Sequence, residues 1–174
     1  MLVKNVLLVG VITASVLAYS SIVSVADERS SSTDRERPEA RQVAESVVKS
    51  YVNAYDNHDP QAISTLFVPD GVLLPPNGAP IVQGREAIER SWADLFKNVG
   101  GHETITIKDA IPAGKDAVVA ITEFKIVGDG QNSGKTISGR ASITLAKTPD
   151  GWQYVSIAPQ TQPPPSAGTT GSRQ

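Results

Sequence analysis

Tyr51 and Tyr55 stand four residues apart in a stretch whose apolar positions, Val43, Val47, Val48, Tyr51, Val52 and Tyr55, recur at intervals of three and four. On a helix, residues i and i+4 share a face, so both rings would point the same way and both hydroxyls could serve one cavity as hydrogen-bond donors. The competing reading is core packing, with each hydroxyl bonded to backbone. Other reactive chemistry is sparse. A metal site wants three or four converging ligands, and a chain with two histidines and no cysteine is not expected to supply them. His58, beside Asp59 in a helix break, reads as a solvated loop residue, and His102, after Gly100-Gly101, as a loop or strand-start residue. Asp70-Gly71 reads as a turn. Gly128-Asp129-Gly130 is a hairpin loop with no helix after it to hold a phosphate, so no nucleotide or other cofactor is expected.

The composition is that of one globular domain: 174 residues, 40% apolar, net charge −2. No basic cluster exists that could neutralise a row of phosphates, which argues against nucleic acid as a partner. The first 26 residues differ in kind. Lys4 precedes an apolar run from Asn5 to Val25 that closes on Ser24-Val25-Ala26, the pattern of a secretory signal cleaved after Ala26, which would place the protein in the periplasm or outside the cell. The alternative is an uncleaved anchor, because the run approaches the roughly 20 residues that span a bilayer. Thr13, Ser15, Ser20 and Ser21 within the run, and its small-residue end, favour cleavage. Without cysteine there is no lipid attachment at the cut and no disulfide, so the core alone must hold the fold. Residues 27–38 are Ser-rich and charged and read as a tether; residues 160–174, with Pro163-Pro164-Pro165, read as a polar tail. The folded part is then 39–159.

Its elements follow from periodicity. A first helix is expected from Pro38 to Asn57, opened by the proline. Asp59 should cap a short second helix begun by Pro60, with Ile63, Leu66 and Phe67 turned inward. Val72-Leu73-Leu74 makes a brief strand, Ile81-Val82 a fragment, and a third helix runs from Arg85 to Asn98, burying Ala87, Ile88, Trp92, Leu95 and Phe96. Residues 104–111, 117–127, 137–147 and 152–158 then alternate as four strands of an antiparallel meander. In the third, Ile137, Gly139, Ala141, Ile143 and Leu145 share the core face; Arg140, on the other face, matches Glu123 across the turn as an exposed ion pair. The second of these strands is apolar on both faces over its first half, so Val119 and Ile121 are expected to meet a second subunit in a homodimer. The fold class is α+β, three helices followed by a curved antiparallel sheet that wraps around them.

Tyr51, the Asn57-His58-Asp59-Pro60 break, Leu66-Phe67, Gly84-Arg85-Glu86-Ala87-Ile88 and the Asp150-Gly151-Trp152 turn resemble the landmarks of the cone-shaped fold of nuclear transport factor 2-like proteins, ketosteroid isomerases and SnoaL-like polyketide cyclases. The resemblance implies a cavity between helices and sheet. In the isomerases, a Tyr on the first helix donates to the developing oxyanion, an Asp on the first strand moves the proton, and a protonated Asp on a later strand is the second donor. Tyr51 aligns with the Tyr, Pro75 falls where the proton-moving Asp should be, and Ala141 falls near the second donor. Proline cannot act as the base, so the isomerase reaction does not transfer. Ile157-Ala158-Pro159 likewise occupies the place where SnoaL-like members often carry a polar residue. The expected pocket is lined by Tyr51, Tyr55, Leu73, Trp92, Thr122, Phe124 and Ala141, with no carboxyl, histidine or cysteine on the inward strand positions. It would bind a small apolar molecule. The alternative is an isomerase- or cyclase-type enzyme with Tyr51 as donor and an unidentified base, and a titratable group within hydrogen-bond reach of Tyr51 would favour it.

Overall fold

The computed structural model describes residues 16–162, so the first part of the expected signal sequence, 1–15, and the tail from 163 onward lie outside the described residues. Helix α1 is Val16–Asp56. Pro38 lies inside it and does not open it, and the segment expected as a tether is helical. A proline within a helix forfeits one hydrogen bond; Glu36, Arg37, Glu39 and Ala40 around it are good helix formers that carry the helix through. The chain divides into two compact units after Glu36, and the unit from Arg37 holds everything below.

Within that unit Ala40, Ala44, Val47, Val48, Tyr51, Ala54 and Tyr55 are buried, one stripe at three-and-four spacing. Helix α2, Pro60–Thr65, is capped by Asp59, whose carboxylate accepts the Ala62 N–H at 2.8 Å. Strand β1 is Phe67–Leu73, β2 is Val82–Gln83, and helix α3 is Arg85–Asn98 with Ile88 and Trp92 buried. Strands β3 (His102–Pro112), β4 (Ala117–Val127), β5 (Thr136–Thr148) and β6 (Gly151–Thr161) form the meander. The order across the sheet is β2-β1-β6-β5-β4-β3; β1 runs parallel to β6 and every other pair is antiparallel. The sheet is curled and unclosed, and the class is α+β. Among the described residues no helix is long and apolar enough to cross a membrane.

Two strands begin earlier than periodicity indicates. Asp70-Gly71 is not a turn but part of β1, in the stretch where the register with β6 shifts between Phe67 and Val72. A Cβ on Gly71 would press to 3.0 Å from Phe67 Cβ, so any larger residue at this point of the irregular strand would have to displace Phe67. Strand β3 begins at His102, two residues ahead of the expected Thr104. There Gly101 adopts φ +88°, and a Cβ on it would lie 2.1 Å from the Val127 carbonyl oxygen. Only glycine lets the chain pass this close to the end of β4 before turning into β3.

Candidate functional site

The inward faces of β3 to β6, together with α1 and α3, line a half-open cavity of about 420 Å³, within the size range of clefts that hold small organic ligands. Most of its wall is apolar: Leu73, Leu95, Ile105, Phe124, Ile143 and Ile157. Alternation along β4 points Thr122 and Phe124 inward, and alternation along β5 does the same for Ala141 and Ile143. Tyr51, Leu73, Trp92, Thr122, Phe124 and Ala141 all line it, as the sequence indicates. Tyr55 does not; it is fully buried one turn along α1, and its hydroxyl donates to the Gly100 carbonyl at 3.4 Å. Its i+4 partnership with Tyr51 is one of packing, with ring centroids 6.2 Å apart.

The expectation of no inward carboxyl is overturned by Glu103. It is the second residue of β3, 7% exposed, on the same face as Ile105 and Ile107, and it lines the cavity. The Tyr51 hydroxyl donates to Glu103 Oε2 at 3.1 Å. Behind it, the Glu103 backbone N–H donates to Asp56 Oδ1 at 3.2 Å, and the same oxygen lies 3.3 Å from His102 Nδ1. The last turn of α1 is thereby tied to the first residues of β3, which holds Tyr51 and Glu103 against each other.

Burial strips water from the Glu103 carboxylate and drives its pKa from 4.5 up to about 7; Tyr51's hydrogen bond opposes the rise and the Asp56 charge adds to it. Tyr51 itself is pushed well above its ordinary value by burial first and by Glu103 second, so it stays protonated and acts as a donor. Tyr154, buried on β6 with its ring 6.0 Å from that of Tyr51, is raised for the same two reasons. Among the described residues of this pocket, Glu103 is the group poised to exchange a proton near neutral pH, where general acid–base catalysis is most effective. Asp94, at the rim, is exposed and lies 3.1 Å from Lys97.

The remaining polar side chains of the wall divide into bonded and unbonded. Thr122 Oγ1 donates to the Ala141 carbonyl at 3.3 Å. Trp92 is buried, its ring edge-on to Tyr51 at 5.6 Å, and its indole Nε1 has no hydrogen-bond partner. Pro75, Ala141, Ile157 and Pro159 also form the wall, so the positions aligned with family carboxyls and polar groups do face the cavity and are apolar. The carboxyl comes instead from another strand.

The histidines lie outside the cavity. His58, at φ +51°, is exposed; its Nε2 lies 3.0 Å from the Gly101 carbonyl and its ring 5.0 Å from that of Phe96. His102 is exposed at the strand start. Among the described residues no group of His, Cys, Asp and Glu could hold a metal ion.

A curled sheet over helices, with a Tyr on the first helix facing an apolar cavity, defines a nuclear transport factor 2-like pocket protein. The profile of the SnoaL-like domain matches residues 44–158, and the chain belongs to that family. No curated protein matches the sequence. Similar solved structures include a ketosteroid isomerase-like protein from Erwinia carotovora, at 21% identity and TM-score 0.62 over 71% of this chain and 96% of that one. An NTF-2 like protein of unknown function from Shewanella oneidensis matches at 14% identity and TM-score 0.60, over 69% of this chain and 98% of that one. A conserved protein from Planctomyces limnophilus matches at 19% identity and TM-score 0.63, over 74% and 100%. At these identities the likeness is one of fold.

Proposed function

We propose that the cavity binds a small, largely apolar molecule and that Glu103 exchanges a proton with it, an acid–base step of the isomerase or cyclase type. The observation that carries this reading is the buried Tyr51–Glu103 pair, a carboxyl with its pKa near 7 inside an apolar chamber. In such a step the ionised carboxylate takes a proton from a substrate carbon and returns it at the same or another position, so nothing else is consumed. Tyr51 orients the carboxyl and stabilises its charged form.

The test is deuterium exchange into the α-carbons of 2-tetralone in heavy water, followed by NMR. The native protein should accelerate exchange by about 10²- to 10⁴-fold relative to Glu103→Gln, the usual worth of a positioned general base. Equal rates would overturn the acid–base step and leave the second reading, a binding pocket without turnover, which the apolar Pro75, Ile157 and Pro159 in the wall favour.

Two features of the chain outside the cavity belong to the same proposal. Ile111 and Ile121 are 41% and 37% exposed on the outer face of β3 and β4, with Val119 paired to Ile111 between them, which supports a homodimer through this face. Ile121→Lys should then give a monomer; a native protein already monomeric at micromolar concentration would contradict it. The N-terminal charge and apolar run support export with cleavage after Ala26, and the intact mass of the exported protein should begin at Asp27.

A further inference from the structure

We infer that the hydroxyl of Tyr154 is the hydrogen-bond donor to the reacting oxygen of the bound molecule, a role closed to Tyr51 because its own hydroxyl is engaged by Glu103. The inference rests on the acid–base reading of this cavity. Tyr154 reaches the wall through an irregularity of β6. Thr144 pairs with Ser156 and Leu145 with Tyr154, so Val155 is an extra residue, a β-bulge. Beyond the bulge Ile157 and Pro159 line the cavity at alternate positions. Regular alternation back from them would turn Val155 inward, and the bulge turns Tyr154 inward instead. Bulges next to functional sites re-aim side chains in this way.

The side chain is fixed there. Its backbone N–H donates to the Leu66 carbonyl at 2.8 Å, and its ring lies 5.2 Å from that of Phe67 and edge-on to Tyr51 at 6.0 Å. Tyr154 is 1% exposed, and among the described residues its hydroxyl has no protein partner. Buried hydroxyls are almost always bonded, so one that lines a cavity leaves its bond to the occupant. The other donors of the wall do not compete. Tyr51 is committed to Glu103 and Thr122 to the Ala141 carbonyl, and the Trp92 Nε1 is occluded. Ser91 is half-buried and Thr161 exposed, where water can satisfy them. Burial first, then the Glu103 charge, raises the Tyr154 pKa, so the phenol stays protonated while Glu103 takes its proton. When the carboxylate removes a proton from the carbon beside a carbonyl, the C–H pair becomes a carbon–carbon double bond and the carbonyl π pair moves onto oxygen. Tyr154 donates to that oxygen and keeps its own proton. Return of the proton from Glu103 to carbon reverses the flow, so nothing is consumed.

The test is the pH profile of α-deuterium exchange into 2-tetralone by the full chain and by Y154F. The variant keeps the ring and should lower kcat by about 10²- to 10³-fold, the usual worth of one donor to a developing oxyanion, with KM changed far less. The midpoint of the profile should stay at the native value, because burial, Tyr51 and Asp56 set the Glu103 titration and Tyr154 does not. Native rates in Y154F, a loss confined to KM, or a loss that follows a moved midpoint would make Tyr154 a packing residue or a prop of Glu103. Each would overturn the inference and leave the proposed function intact. Equal exchange by the native chain and Glu103→Gln would overturn the two together. If Y154F does not fold, carbon-13 labelling of the tyrosine ζ-carbons in the native chain decides. The chain has four tyrosines, so replacing the other three by Phe in turn assigns the Tyr154 signal. Adding 2-tetralone should move that signal further than adding tetralin, which has the same skeleton without the oxygen; equal shifts would overturn the inference.

Discussion

Glu103 and Glu123 sit on adjacent strands of one sheet, Glu103 opposite Ile126 and Glu123 opposite Thr106, and they face opposite sides. Glu123 looks outward, where Lys108 and Arg140 each lie 3.3 Å from one of its oxygens; Lys108 first, with Arg140 behind it, draws its carboxyl below the ordinary value. Glu103 looks inward, where among the described residues no cation lines the wall and a single tyrosine hydroxyl meets it, and burial pushes its carboxyl up to about 7. The same side chain is a solvated ion-pair member on one face and a proton-exchanging group on the other. The face of the strand decides the chemistry, and β-alternation decides the face.

Removing the inner member should have the largest effect. Between pH 4.5 and about 7 the folded protein holds a proton on Glu103 that the unfolded chain has released, so this group's contribution is fully present below pH 4.5 and is lost as pH rises through 7. The loss amounts to about 3 kcal/mol, because each tenfold change in proton affinity is worth about 1.36 kcal/mol. Denaturant unfolding of Glu103→Gln should therefore show a stability curve flatter by this amount over that window than the native protein's. Parallel curves would erase the contrast between the two glutamates.

Tyr51→Phe sharpens the contrast in the other direction. It deletes the hydrogen bond that holds the pKa of Glu103 down, so the carboxyl should titrate higher still. Above pH 7 the stranded carboxylate should cost about 1–3 kcal/mol of stability, with little loss at acid pH, where the carboxyl is neutral. A pH-independent loss would mean that the hydroxyl matters to packing alone.

A smaller shift is expected from Asp56→Asn. The amide oxygen can still accept the Glu103 N–H now held at 3.2 Å, but the negative charge that raises the Glu103 pKa is gone. The Glu103 titration should move down, read by the pH at which the stability curves bend; an upward move would show that Asp56 acts on Glu103 through something other than its charge.

Least of all is expected from Glu123→Gln. Exposed ion pairs are screened by water and contribute little, so the melting temperature should hardly change and the Glu103 titration should stay where it is. A shift at Glu103 would show that the two faces are coupled through β4.

Much of this was legible in the sequence, and where it was not the reason is local. Helix α3 follows the expected bounds because Arg85 to Asn98 keeps one apolar stripe and begins right after Gly84. The cross-strand partnership of Glu123 with Arg140 followed from parity, and so did the inward set on β5. Tyr51, Pro75 and Ala141 all reached the cavity wall from positions that the family resemblance marks. Glu103 was missed because two glycines and a histidine precede it and mimic a loop, which cut the strand off at Thr104. The signal was present: Glu103, Ile105 and Ile107 alternate, and extending that parity two residues backward turns the carboxylate inward. Tyr55 erred the other way. Helical spacing correctly placed it beside Tyr51, but spacing does not show that the Gly100 carbonyl lies within reach of its hydroxyl.

The central claim is that a carboxyl inside the cavity changes protonation near neutral pH. It is tested most directly by following the Glu103 side-chain carboxyl carbon by NMR through a pH titration, assigned by comparison with Glu103→Gln. A midpoint near 7 is the expected result. A midpoint at the ordinary 4.5 would contradict it and reduce the Tyr51–Glu103 pair to a buried hydrogen bond with no catalytic use.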